Sequence, residues 1–218
     1  MRTLAFLLAT APPLLMAQWN PDISENTRVC DVESNQIITA ICADGEGGTF
    51  HAWTDYRVLG EGNLFVQHLN AAGERLWTND GVLLTNNGSN HSPALLPDGD
   101  GGVWVAWKGT GFYILRLQHL DASGSELLTA GGVQIYNAFG TPGWPLLFPD
   151  GAGGVLAVLS VQDNVDFSVA VQRVDADGNP LWGTDGAGFT AGYNNCDEKM
   201  RVVQGDSASL VMLRGDVE

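Results

Sequence analysis

The chain has 218 residues, 28 of them glycine, and sets 25 Asp+Glu against 10 Lys+Arg for a net charge of −15. That charge argues against a nucleic-acid or anionic-lipid partner, while a hydrophobic share of 44% supplies enough apolar material for a packed core. So acidic a chain suits a soluble exported protein, an acidic functional site being the other use for its carboxylates.

Residues 1–17 have the three parts of a secretory signal peptide: Arg2, an apolar run from Leu4 to Leu15, and Ala17 before the expected cut. The run is too short to anchor the chain in a membrane, and no later segment has the length or apolarity of a span, so no membrane insertion is expected. Gln18-Trp19-Asn20-Pro21-Asp22 then lines up with Leu76-Trp77-Thr78-Asn79-Asp80 and Leu181-Trp182-Gly183-Thr184-Asp185. Next comes an apolar strand, Gln36 to Ile41, flanked by Cys30 and Cys42, which an oxidising compartment would allow to pair; Cys196 is the odd third cysteine. The turn Asp44-Gly45-Glu46-Gly47-Gly48 leads into the strand Thr49 to Trp53.

The same order then returns. Pro93 to Pro97 is a short apolar run, and Asp98-Gly99-Asp100-Gly101-Gly102 reverses it in a tight hairpin. Val103 to Trp107 reads as a buried strand and Phe112 to Leu120 as a longer one, with a weaker fourth strand within Glu126 to Tyr136. Asp150-Gly151-Ala152-Gly153-Gly154 and Val155 to Leu159 open a third copy. Gln67-His68-Leu69-Asn70-Ala71-Ala72-Gly73, Gln118-His119-Leu120-Asp121-Ala122-Ser123-Gly124 and Gln172-Arg173-Val174-Asp175-Ala176-Asp177-Gly178 keep the same beat, each followed by Leu-Trp or Leu-Leu and then by Gly81, Gly132 or Gly186.

Asp44 and Asp98 lie 54 residues apart, Asp98 and Asp150 52 apart, so the chain is an internal repeat. Its copies fall at about 38–90, 91–142 and 143–197, with a partial copy at 198–218 inside a repeat region spanning 18–218. Four short strands per copy with Gly-rich turns and no helical period make an all-β fold: an array of four-stranded antiparallel blades like those of a β-propeller, expected to be an incomplete piece of a longer protein. Trp53, Trp107, Trp77 and Trp182 are expected to fill the space between blades.

Taken together, Asp-Gly-x-Gly-Gly, a strand ending in Ala52-Trp53 or Ala106-Trp107, and Gln-x-Leu/Val-Asp/Asn-Ala-x-Gly followed by Leu-Trp resemble the repeats of secreted bacterial β-propeller-like proteins. The resemblance covers nearly all of the chain after the leader. It implies a secreted or cell-surface location and often a C-terminal sorting domain, which this sequence lacks.

Candidate chemistry is sparse. Asp98 and Asp100 carry the alternate-acid spacing of a calcium loop, but the third position of the phrase varies from Glu46 to Asp100 to Ala152; Asp44, Asp98 and Asp150 are therefore read as structural, with calcium a weak candidate and no other cofactor expected. His51, Asp55, Tyr56 and Arg57 crowd around Trp53 in the first copy, and Lys108 holds the matching place in the second, a non-identical set that could line one binding site. As strand-end polar residues, Asp55 and Arg57 are expected to tolerate substitution with stability nearly unchanged, whereas Trp107→Ala is expected to be severe. The first functional expectation is a non-enzymatic module whose loop faces bind an extracellular glycan or protein. The alternative is a propeller-type glycoside hydrolase, which needs carboxylates such as Asp55, Asp163 and Asp166 to converge.

Overall fold

Each copy becomes one antiparallel sheet. The computed structural model describes residue 24 and residues 26–58, 61–85, 92–109, 114–137, 141–163 and 166–190, with the strands at 201–204 and 210–213. Among these residues the chain is all β, without helix. The first sheet runs β1 (Gln36–Ala43), β2 (Thr49–Val58), β3 (Glu61–Leu69), β4 (Val82–Leu83), in that spatial order. The second repeats it with β5 (Ala94–Pro97), β6 (Val103–Lys108), β7 (Ile114–Leu120) and β8 (Val133–Asn137). In the third, β9 (Thr141–Pro142) and β10 (Leu146–Pro149) pair with one edge of β11 (Val155–Asp163), followed by β12 (Asp166–Val174) and β13 (Ala187–Thr190). A last antiparallel pair joins β14 (Arg201–Gln204) and β15 (Leu210–Leu213).

The repeated turn is a five-residue loop rather than a two-residue reversal. Asp44, Asp98 and Asp150 each close it with a backbone N–H to the carbonyl of Gly48, Gly102 or Gly154, at 3.1 Å in all three copies. Oδ1 of the same aspartate accepts from the N–H groups two and four residues on, at 2.7–2.9 Å. The first two glycines take positive φ (89° and 95° at Gly45 and Gly47), and the third lies so close to the neighbouring strand that a Cβ would run into the carbonyl of Leu69, Leu120 or Val174. All three glycines of the phrase thus have a geometric cause.

Alternation along the central strands supplies two apolar faces per sheet. Phe50, Ala52, Leu64 and Val66 of the first sheet, with Trp77 and Leu84, pack against Val103, Val105, Trp107 and Leu120 of the second. Trp104, Ala106, Leu115 and Leu117 on the second sheet's other face meet Val155, Ala157, Leu159 and Val161 of the third. The strand β5 lies beside both β1 and β10, so the three leading strands are neighbours at one side of the stack.

Several expectations need correction. The fourth strand of the second copy, Val133–Asn137, runs one residue past the expected range of Glu126 to Tyr136. Trp77 and Trp182 lie in the bends before β4 and β13 rather than in those strands. Trp53, Trp107 and Trp77 are buried, but Trp182 is 44% exposed and fills no gap between described sheets. Cys30 and Cys42 are both free, so the disulfide is not formed. The signal peptide, Trp19 and Cys196 lie outside the described residues.

Candidate functional site

Asp55, in the middle of the polar cluster, is the hub of a buried network. Its side chain has no exposure. Oδ2 accepts from Arg57 Nη2 at 2.6 Å, from Gln36 Nε2 at 3.0 Å and from Trp53 Nε1 at 3.2 Å, and Oδ1 accepts from the Arg57 backbone N–H at 2.8 Å. The β1–β2 register puts Gln36 directly opposite Asp55, and the Arg57 guanidinium folds back over the Phe65 ring at 4.1 Å. Burial works to raise the Asp55 carboxyl, but its donors, Arg57 first, outweigh burial and hold it below the usual carboxylate range; the same partner raises Arg57. A carboxylate already charged, held by four hydrogen bonds and shut off from solvent is poorly placed to serve a ligand or a proton in transit.

The other sequence candidates do not gather around it. His51 is buried, with Nε2 at 2.8 Å from Thr49 Oγ1, and burial lowers its pKa. Tyr56 is half-buried, its backbone N–H bonded to the Asn35 carbonyl. Lys108 belongs to the second sheet, on the alternation of Trp104 and Ala106, which faces the third. Asp163 and Asp166 are opposed by register at the β11–β12 hairpin, but their side chains lie outside the described residues. Asp98 offers a cation little: Oδ1 takes two backbone N–H donors and Oδ2 is 2.8 Å from His119 Nε2. Asp100 donates its own N–H to Asp98, and among the described residues no group of three His, Cys, Asp or Glu is placed to hold a metal.

Two features escaped the sequence reading. The first is a joint between the repeated phrases: Asp44 Oδ2 meets His68 at 2.9 Å, Asp98 meets His119 at 2.8 Å and Asp150 meets Arg173 at 3.0 Å. The recurring basic residue 21–24 positions after each turn aspartate was the available signal. The second is a polar cleft of about 450 Å³ lined by Thr27, Arg28, Ala72, Gly73, Glu74, Arg75 and Asn79. Arg75 builds one wall, giving Nη1 to the Asn79 carbonyl at 2.9 Å and pairing Nη2 with Asp31 at 2.8 Å, which lowers the Asp31 pKa. Glu74 Oε2 accepts from Asn70 Nδ2 at 2.8 Å. Residues 27–31 precede the first copy and carry no repeat signal, so only the folded chain brings them to this turn.

Equivalent isolated bridges fix what stands at the position of Arg75 in each copy: Leu69 pairs with Arg75, Leu120 with Glu126, Val174 with Pro180. One structural position thus holds a cation, an anion and an imino acid. Comparison with family models, curated proteins and solved structures finds no match. Among the described residues no helix is long and apolar enough to cross a membrane.

Proposed function

We propose that the sheets are successive blades of a β-propeller-like array in an exported, non-enzymatic protein, and that the array binds an extracellular glycan through the cleft at Arg28 and Arg75. The propeller reading rests on sheets that share a core pairwise and on leading strands that lie side by side, the arrangement expected of blades fanned around an axis. Export rests on the leader sequence alone.

The observation that carries the binding reading is the divergence at Arg75, Glu126 and Pro180. Recurring polar residues are used up internally: Gln67, Gln118 and Gln172 donate Nε2 to the carbonyls of Thr78, Thr129 and Gly183, and the turn aspartates hold their loops and the His or Arg beside them. Side chains that do not recur are the ones through which one copy can differ from the next. At this cleft guanidinium, carboxylate and carboxamide groups stand together, a mix of donors and acceptors that suits the neighbouring hydroxyls of a sugar, in a volume of ordinary ligand-site size. Hydrolysis would need an acid and a base flanking a glycosidic bond, and Asp55 is committed to Arg57.

A glycan array probed with the purified secreted protein, alongside a reducing-sugar assay on the same glycans, tests the reading. Binding without turnover, weakened by Arg28→Ala and by Glu74→Ala, is expected. Turnover, or binding indifferent to both substitutions, would overturn it; capture of a protein ligand at the same cleft would replace the glycan.

A further inference from the structure

Trp77, Leu128 and Trp182 hold the same place in three copies. In each, the backbone N–H donates to the side-chain oxygen of the repeat glutamine: Trp77 to Gln67 at 3.2 Å, Leu128 to Gln118 at 3.0 Å, Trp182 to Gln172 at 3.1 Å. The local bend is therefore the same three times, and what each side chain meets depends on its neighbour. Trp77 reaches the second sheet, where Nε1 donates to the Ala122 carbonyl at 3.0 Å and the indole lies on Gly124, 2.9 Å from where a Cβ there would stand. Leu128 repeats the contact one sheet on, at 2.8 Å from a Cβ on Gly178. Both glycines end the phrase Gln-x-Leu/Val-Asp-Ala-x-Gly, whose last residue has to lack a side chain for a bulky neighbour to rest on it.

Trp182 breaks the series. It is 44% exposed where Trp77 is 7% exposed. The adjacent leucines, Leu76, Leu127 and Leu181, are similarly exposed in all three copies, so the difference belongs to the Trp position and not to a looser third sheet.

We propose that Trp182 is the docking residue for a third-strand segment of this repeat type: an extended strand ending in an Asp-Ala-x-Gly turn. The glycine lies under the indole, and the alanine carbonyl accepts from Trp182 Nε1, as Ala122 does from Trp77. Among the described residues β15 has β14 as its one strand partner, so the incoming strand also completes a sheet by main-chain hydrogen bonding along the other edge of β15. The chain's three phrases of this kind are already paired in their own sheets, as β3, β7 and β12, so the occupant is a further strand of the same chemistry. Neither ring closure nor glycan binding is assumed.

The probe is a labelled synthetic peptide of residues 166–180. Its turn is self-contained: Asp175 Oδ1 accepts from the N–H groups of Asp177 and Asn179, and Gly178 N–H donates to the Asp175 carbonyl. Titration of the full chain, followed by fluorescence anisotropy, is expected to give saturable binding. Removing the aromatic anchor with Trp182→Ala should weaken it by about tenfold or more, as should Gly178→Leu in the peptide. Trp144→Ala, at an exposed Trp of the same sheet, should change it by less than about twofold. Absence of saturable binding, or equal binding by the Trp182→Ala protein or the Gly178→Leu peptide, overturns the proposal.

Discussion

Asp55→Ala is expected to destabilise the protein by about 3–5 kcal/mol, the cost of breaking a buried ion pair from one side. The deletion removes an acceptor from four donors at once: Arg57 Nη2, the Arg57 backbone N–H, Trp53 Nε1 and Gln36 Nε2; Gln36 Nε2 keeps the Val32 carbonyl at 3.0 Å and Arg57 Nη2 the Asp80 carbonyl at 3.3 Å. A buried donor without an acceptor costs about 1–3 kcal/mol, and Trp53 Nε1 with the Arg57 backbone N–H accounts for much of the expected figure. The Arg57 side chain is 17% exposed and can partly rehydrate, which limits its own share. Against a typical domain stability of about 5–15 kcal/mol the loss is large. Urea unfolding of the wild type, Asp55→Ala, Arg57→Ala and the double variant measures both the cost and the coupling, expected to be about 1 kcal/mol or more for directly bonded groups. An Asp55→Ala variant within about 0.5 kcal/mol of wild type, the range of an ordinary surface substitution, would refute the reasoning and return Asp55 to the list of candidate ligand-binding residues.

Trp107→Ala should cost about 3–5 kcal/mol by urea unfolding, because its ring is buried between the first two sheets. Gly132→Ala should cost clearly more than Gly131→Ala: both glycines have positive φ (75° and 77°), but only at Gly132 would a Cβ strike the Trp107 ring and come within 2.8 Å of the Leu117 carbonyl. Gly131→Ala bears the backbone strain alone, about 1–2 kcal/mol. Stability should also fall in acid. Burial opposes ionisation of Asp44, Asp55, Asp98 and Asp150, but their donors win and each folded pKa lies below the ordinary 3.8. The unfolded chain therefore takes up protons first, and the contribution of these carboxylates, complete above pH 3.8, drains away as pH falls through the folded values. Burial also lowers His51 from 6.5, so the loss should begin below that pH; urea midpoints that rise on acidification would contradict both.

What the sequence made legible had local causes. Asp44, Asp98 and Asp150 organise their loops through atoms two and four residues away, so turn and strand order could be read from one copy and checked in two more. Where reading failed, the partner was distant. Asp55 looks like a strand-end acid until Gln36, 19 residues earlier, and Cys30, which accepts from Gln36 Nε2 at 2.9 Å, close over it. Trp182 reads like Trp77 because the bend that carries it is the same; its exposure is decided by what lies across from it. The cleft residues Arg28 and Arg75 come from a segment outside the repeat and a position that differs in every copy, so no periodic signal could join them.

The aspartate joints explain why recurrence and function separate in this chain. Register sets Phe50 opposite His68, Trp104 opposite His119 and Leu156 opposite Arg173. The two imidazoles stack on their ring partners at 4.0 and 3.9 Å, which aims Nε2 at the turn aspartate. Arg173 reaches Asp150 at 3.0 Å on a longer, flexible stem with no ring to lie on, and there the opposite residue is leucine. Two residues thus change together while the aspartate keeps one job, with Oδ1 on the loop and Oδ2 on the cation. A group bound this way at every copy is held at the same end of each sheet by its own fold, and variation there is limited to chemistry that preserves the joint. At Arg75, Glu126 and Pro180 the internal partners are not shared between copies, Arg75 holding Asp31 and the Asn79 carbonyl and Glu126 accepting from Gln118: charge is reversed or lost while the bridge to the preceding strand survives. The fold can vary that position at little cost, which makes it the place where one copy acquires a property the others lack.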